Sequence, residues 1–467
     1  RSLGDVRSVV DFFSGTSRVG MGLKAAGYRV VANDVLRFAH VLATCYIQAD
    51  AASRHVLLAD EAICVGEATN TDSYLNLPNV LAAVEATGAD AVHPGYGYFS
   101  ERDRFAEALA SLGVKFIGPN VAAIRAMGDK ASAKQAAIVS ECPVVPGSSG
   151  VVENEQDACK IADEIGYPVL LKAVAGGGGR GIRRVDNAEE LGRQWKTAQA
   201  EALASFGNDE MLVERCVVEP RHVEIQILAD EHGNCLYLGE RECSIQNLRH
   251  QKIVEEAPCA VLDETTRRKM GEAAVRVAKE VGYTNAGTVE FLLDAHGEFY
   301  FLEMNTRIQV EHPVTEQITG LDLVQWQIRI ANGEPLTMTQ ADIALRGHSI
   351  EARITAQDPD NDFRPGTGLI TRWDAPGFGG VRMDTHCYAG FTVSPFYDPM
   401  LAKLIVTGHD RAHALRILTA ALDEFHVEGV PTNIPFLRRL VRHPDYISGD
   451  VSTAFVPRFL DEQVVNA

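Results

Sequence analysis

The sequence predicts an α/β unit with a parallel sheet, followed by α+β units that carry a glycine-rich lid and a large antiparallel sheet. Three observations predict it. Residues 7–118 alternate short β-rich runs with helical ones, the βαβ rhythm of a sheet covered on both faces. A run of glycines near residue 176 stands between two short strands. From about residue 217, hairpin signals dominate.

In order, "SVVDFF" reads as a strand, "SRVGMGLKAAG" as a helix ending at Gly27 and "YRVVAND" as a strand. "LPNVLAAVEATG" and "RFAEALASLG" read as helices, and "ADAVHPGYG" and "VKFIGP" as strands running into loops. From about 145, "YPVLLKAVAGGGGRGIRRV" is strand, glycine loop, strand. A helix in "AEELGRQWKTAQAEALASFG" and the strand "DEMLVERCV" complete that small unit. Farther on, "HVEIQILADEHGNCLYLGERECS" turns at Asp230–Asn234, and "GTVEFLLDAHGEFYFLEMNTR" turns at Asp294–Glu298. The helix "ETTRRKMGEAAVRVAKEVG" lies between them. No repeat or low-complexity stretch interrupts the pattern.

The 467 residues suffice for about three domains. A formal net charge of −19 disfavours non-specific binding to nucleic acid or anionic membranes, so neither is an expected partner. No apolar run reaches the roughly 18 residues of a membrane span, and no signal peptide is read at Arg1–Asp5. The nine cysteines form no CxxC pair or zinc spacing, which fits a reducing cytoplasm.

The polar residues Glu303, Asn305, Arg307, Gln309 and Glu311 alternate with Met304, Thr306, Ile308 and Val310. On one extended strand all five would share a face, offering oxygens to a hard cation and a donor fork to an oxyanion. A mixed-charge exposed strand is the alternative. Gly176–Gly179, Arg180 and Gly181 suit a hairpin lid whose backbone N–H groups cradle phosphates. They do not suit a Rossmann loop, because the strand-like "IRRV" follows. Lys172, on the apolar strand before the loop, either snorkels to solvent or reaches a phosphate. Lys130 follows Gly128 at an expected helix start. Glu290 and Glu303, on paired strands with Asn305 nearby, make a Mg²⁺ site with room for phosphate oxygens. Arg249, His250 and Lys252 form a basic cluster, and Arg353 alternates with apolar residues on "HSIEARITA". An oxyanion seat and ordinary surface or ion-pair roles are both open for these.

Together these segments, with "HPGYGYFSE", "MGDK", "RHVEIQILAD", "HQKIVEEAP", "FLEMNTRIQVEHPVTE", "GHSIEARI" and "SPFYDPMLAKLI", resemble biotin carboxylase, the ATP-grasp component of biotin-dependent carboxylases. The likeness runs from about Ala51 to the C-terminus. It implies an ATP-grasp fold: a Rossmann-like domain over 1–118, linker helices over 119–144, a lid over 145–216, and the C-terminal ATP-grasp and carboxylase region over 217–467. It further implies that Lys130, Lys172, Glu214, His222, Gln246 and His250 bind ATP beneath the lid of Gly176, Gly177, Gly178, Gly179 and Gly181. Glu290 and Glu303 hold Mg²⁺ or Mn²⁺, with Asn305 beside them. Lys252, Arg307, Gln309 and Val310 hold bicarbonate, and Glu311 is the general base. Bicarbonate attacks the γ-phosphate to give carboxyphosphate, and the phosphate released from it takes the N1′ proton of biotin. Arg353 stabilises the biotin enolate, and Tyr96 lies near that pocket. The implied partners are a biotin carboxyl carrier domain or protein and a carboxyltransferase. No "MKM" biotinylation sequence occurs in the chain. Homodimerisation is left open.

Two departures stand out. "QNLRHQK" is one residue longer than the family's "QRRHQK" and lacks its first Arg. Residues 1–50, "VVDFFSGTSRVGMGLKAAGYRVVAND" included, resemble the SAM-binding segment of an adenine-specific DNA methyltransferase, through Asp11, Gly15, Gly20 and Asp34. The pattern changes near Ala49–Asp50. No Asp/Asn-Pro-Pro-aromatic motif occurs, which argues against methylation. A nucleotide-binding scaffold of weakened activity is the other alternative, and the full set of charged residues argues against it.

Overall fold

The computed structural model describes residues 8–11, 29–32, 61–174 and 181–465. At the N-terminus, β1 (Ser8–Asp11), β2 (Arg29–Ala32), β3 (Glu61–Ala62), β4 (Ala91–His93) and β5 (Lys115–Phe116) form a parallel sheet in the order β3-β2-β1-β4-β5. The opening segment therefore supplies the central strand of this sheet. Ala91, Val92 and His93 are all buried, as a strand covered on both faces requires. Helix Leu77–Thr87 starts on the Asn76 side chain and stops at left-handed Gly88, φ 60°. The helix expected at 17–27, with Gly15, Gly20 and Asp34, lies outside the described residues.

Two short helices follow, Val121–Gly128 and Lys130–Val139. The Asp129 side chain caps the second by accepting from Ser132 N at 2.8 Å, so Lys130 opens that helix as expected. The lid is an antiparallel sheet of β6 (Val169–Ala173), β7 (Ile182–Val185) and β8 (Met211–Arg215), in the order β7-β6-β8. Helices Glu155–Ile165 and Ala188–Phe206 close its core. The first of these was not expected from the sequence. Its buried positions are the alanines Ala158 and Ala162, a faint apolar stripe. Gly176–Gly179 lie outside the described residues; Gly181 has φ 75°.

The large sheet has eight antiparallel strands. They are β9 (Arg221–Ala229), β10 (Cys235–Gln246), β11 (Lys252–Ala257), β12 (Asn285–Leu293), β13 (Phe299–Asn305), β14 (His348–Thr355), β15 (Val381–Thr385) and β16 (Met400–Gly408). The order is β13-β12-β9-β10-β11-β14-β16-β15. Helices Glu264–Glu280 and Arg411–Glu424 pack on it over two apolar clusters.

One expectation fails. The alternation from Glu303 to Glu311 is not one strand. β13 ends at Asn305, and residues 306–311 form a loop and turn that leads into helix His312–Thr319. Thr306 N bonds to Glu101 Oε1 at 3.0 Å instead of continuing a ladder, and Pro313 suits the first helical turn.

Candidate functional site

The site is built around one part-buried ammonium. Lys252 opens β11, and its Nζ donates to Glu224 at 2.6 Å, Glu311 at 2.6 Å, Glu290 at 3.0 Å and Gln309 at 3.2 Å. Burial alone would lower its pKa, but the three carboxylates hold it well above the ordinary lysine range. β9, β11, β12 and the loop after β13 thus converge on a single cation.

Glu311 is the most constrained carboxylate. It takes Lys252 on one oxygen and Arg353 Nη2 on the other, at 2.9 Å. Burial works against its charge, yet Lys252, Arg353 and Arg241 hold it well below the usual carboxylate range. Arg353 also donates to Glu255 at 2.6 Å. Burial pushes the Glu255 carboxyl up to about 7, with Arg353 pulling it down and Glu311 pushing it up. Folded Glu255 therefore keeps its proton between the unfolded value of 4.5 and about 7, where the unfolded chain has lost it. Its contribution to stability is full below 4.5 and is lost as pH rises through that window. Unfolding midpoints between pH 5 and 8 are expected to fall less steeply in Glu255→Gln than in the parent; equal slopes refute this.

Glu290 and Glu303 face each other across β12 and β13, as the hairpin reading required. Glu290 accepts from Lys252, from Asn305 Nδ2 at 2.9 Å and from Gln309 Nε2 at 2.9 Å. His222 Nε2 lies 2.8 Å from it without hydrogen-bond alignment. Its carboxylate is held well below the usual range, because Lys252 and His222 outweigh burial. Glu303 is pushed up, first by burial and then by the charge of Glu290. Like charges directly opposed are unfavourable without a cation between them. The pair with Asn305 is thus a fitting oxygen set for a divalent ion. His222, Glu224 and Glu290 also bring ligand atoms within 4.8 Å of one another. Lys252 already supplies positive charge there, so the Glu303 side is the better cation seat.

Arg307 leans on Glu101, with Nε to Oε2 at 3.0 Å, and on Asn305 Oδ1 at 3.1 Å. The Val310 carbonyl accepts from fully buried Lys403 at 2.9 Å. Tyr96 packs beside the cluster that holds Ile308, and burial pushes its phenol up. The residues expected to bind nucleotide form two groups, Lys172 and Glu214 on the lid sheet and His222 and Gln246 on the large sheet. Glu214 accepts from Lys172 at 2.5 Å and from Lys134 at 2.8 Å, and Gln246 Nε2 lies 2.9 Å from His222 Nδ1. His250 stands apart, exposed on the β10–β11 turn with φ 60°. The extra residue in that turn is absorbed locally. Asn247 Oδ1 accepts from Arg249 N at 2.9 Å and Gln251 N at 3.0 Å, and Gln246 still pairs with Lys252.

Sequence reading missed Glu101, Lys134, Glu224, Arg241, Glu255 and Lys403. For Glu224 a signal exists. His222, Glu224 and Gln226 alternate with Val223, Ile225 and Ile227, and all six are buried. A polar row on a strand whose other face is aliphatic reads as a second site wall.

Three family models match the chain: "Biotin carboxylase, N-terminal domain" over 27–124, "Carbamoyl-phosphate synthase L chain, ATP binding domain" over 129–339, and "Biotin carboxylase C-terminal domain" over 351–458. The first begins at residue 27, so the change of texture at Ala49–Asp50 is not the edge of the family likeness. The biotin carboxylase of Nostoc sp. is 53% identical over 402 residues, which cover 86% of this chain and 90% of that protein. Biotin carboxylase 1 of Bacillus subtilis is 47% identical, covering 89% of this chain and 92% of that protein. The human mitochondrial propionyl-CoA carboxylase alpha chain is 51% identical, but only 56% of its length is covered. The biotin carboxylase domain dimer of Hydrogenobacter thermophilus 2-oxoglutarate carboxylase, solved with MgADP, ADP and bicarbonate, superposes with a TM-score of 0.86. It is 43% identical, and 97% of each chain is covered. A Campylobacter jejuni biotin carboxylase structure gives a TM-score of 0.88 at 41% identity, covering 97% of this chain and 99% of that one. With an ATP-grasp fold, a carboxylate pair fit for a divalent ion and a caged lysine in place, the chain belongs to the biotin carboxylase family, whose reaction is the ATP-dependent carboxylation of biotin.

Proposed function

We propose that Lys252, Arg307, Gln309 and the Val310 backbone seat bicarbonate and that Glu311 takes its proton. The cage around Lys252 carries this reading. While Lys252 and Arg353 both bind Glu311, its carboxylate is too well stabilised to act as a base. A bicarbonate anion in the seat competes for Lys252, which weakens that pair and raises the basicity of Glu311 as substrate arrives. The deprotonated oxygen then attacks the γ-phosphorus of ATP, and the β–γ bridging oxygen leaves with ADP. Alignment and charge neutralisation suffice for this step. Lys130, Lys172, Glu214, His222 and Gln246 line the nucleotide side, with Gly176–Gly179 and Gly181 as the lid and His250 at its margin. Glu290 and Glu303, with Asn305, would hold a divalent cation that neutralises phosphate charge. Arg353 offers its guanidinium to the ureido oxygen of biotin, beside Tyr96.

Biotin comes to the site on a carrier domain or protein, and a carboxyltransferase takes the product onward. The Hydrogenobacter domain dimer supports the same association for this chain. No described helix is long and apolar enough to cross a membrane, and Cys142, Cys159, Cys216, Cys235, Cys243 and Cys259 are free thiols, which suits a reducing compartment. The test is ADP release from purified protein with ATP, Mg²⁺ and bicarbonate, with and without free biotin. Biotin is expected to stimulate release. Nucleotide binding without turnover would instead favour the scaffold reading.

A further inference from the structure

The lid root holds one carboxylate shared by two cations from different parts of the chain. Glu214, on β8, gives Oε2 to Lys172 on β6 at 2.5 Å and Oε1 to Lys134 on helix Lys130–Val139 at 2.8 Å. The Glu214 side chain is 12% exposed, those of Lys172 and Lys134 27% and 28%. Burial opposes the Glu214 charge, yet the two lysines keep the carboxyl below its ordinary pKa. The carboxylate has little freedom to turn away. The backbone at Gly147 presses on it so closely that an added Cβ would stand 2.8 Å from Glu214 Cγ and 2.5 Å from Val213 O.

Lys172 and Lys134 differ in what surrounds them. Lys172 sits on β6, the strand before the glycine run. Lys134 sits one turn along the helix that Lys130 opens. A phosphate that recruits Lys172 draws it from Glu214. A largely buried carboxylate stripped of its only cation is costly, so the exchange is favourable only if a second cation stays. Lys134 is that second cation.

We propose that Lys134 is a positioning residue for the nucleotide: it keeps Glu214 neutralised so that Lys172 can turn to the phosphates. This rests on Lys172 as a phosphate ligand. The effect passes through Glu214 and needs no contact between Lys134 and ATP. It separates from a plain through-space attraction of Lys134 for phosphate, which would not depend on Glu214.

The test is a double-mutant cycle on the full chain, read as KM for ATP and as ADP affinity by calorimetry. Lys134→Gln is expected to raise the ATP KM about 3–10-fold and weaken ADP similarly, with kcat and the bicarbonate KM within about 2-fold of the parent. Lys134→Arg, which keeps the ion pair, is expected to restore the ATP KM to within about 2-fold. In a Glu214→Gln background the same Lys134→Gln change is expected to do almost nothing. An undiminished effect in that background, or no effect in the parent, overturns the proposal. Lys172→Gln is the control for the underlying reading. If it leaves ATP and ADP binding unchanged, the phosphate role of Lys172 falls and this inference with it. If Lys172→Gln weakens nucleotide binding and Lys134→Gln does not, only this inference falls.

Discussion

Glu311→Gln is expected to lower biotin-dependent ADP release by about 10²–10⁴-fold, the usual worth of a positioned general base. The substitution keeps the shape and one acceptor oxygen for Lys252, so the fold and the nucleotide side remain. Loss of a transition-state role lowers kcat and kcat/KM together, with the ATP KM nearly unchanged. The pH profile gives a second readout. Lys252 and Arg353 outweigh burial and hold Glu311 well below the usual carboxylate range, so the free enzyme carries it ionised throughout the neutral region. An acidic limb near pH 7 in kcat/KM therefore belongs to another group, and Glu255, pushed up to about 7, is the nearest. Retention of more than a tenth of parental activity by Glu311→Gln would remove the general-base assignment.

Arg241→Met is expected to cost about 3–5 kcal/mol of stability. Arg241 is fully buried on β10 and joins three elements through four acceptors. Its guanidinium donates to Glu224 at 2.5 Å, Gln226 at 2.6 Å, Thr315 at 2.9 Å and Thr288 at 3.1 Å. Removing it leaves the Glu224 carboxylate, itself fully buried, with Lys252 alone. A lysine at 241 keeps the charge but not the planar fork, so Arg241→Lys should fall between the parent and Met. The double variant Arg241→Met with Glu224→Gln should recover part of the loss, because the stranded charge is gone. Urea unfolding compared across the four proteins decides it. A single-variant loss under about 1 kcal/mol, or no recovery in the double, rejects the account.

Local chemistry carried much of the fold into view. The Asp230–Asn234 and Asp294–Glu298 turns hold because their first Asp side chains accept from backbone N–H groups within the turn. The hairpin between β12 and β13 followed, and with it Glu290 opposite Glu303. The run "IRRV" after the glycines read correctly as a strand, β7, which pairs with β6. The row from Glu303 to Glu311 shows the limit. Its alternation was real, its geometry was not one strand, and the 306–311 turn brings Gln309 and Glu311 round to Lys252 while Asn305, at the end of β13, meets Glu290.

The sequence by itself determined the strands β1 and β2, the strand β7 after the glycines, the carboxylate hairpin, the family and part of the cage: Lys252, Glu290, Gln309, Glu311 and Arg353 are legible in it, and Glu224, Arg241 and Glu255 are not. Those rest on short-range rules: period-two alternation, turn chemistry and motif order. Only the tertiary structure decided who neutralises whom. Lys252 is shared among Glu224, Glu290 and Glu311, Arg353 between Glu255 and Glu311, and Glu214 between Lys134 and Lys172. These partners lie up to about a hundred residues apart along the chain. Periodicity reports which way a side chain points from its own strand, whereas a buried charge is set by whatever other strands bring within a few ångströms of it.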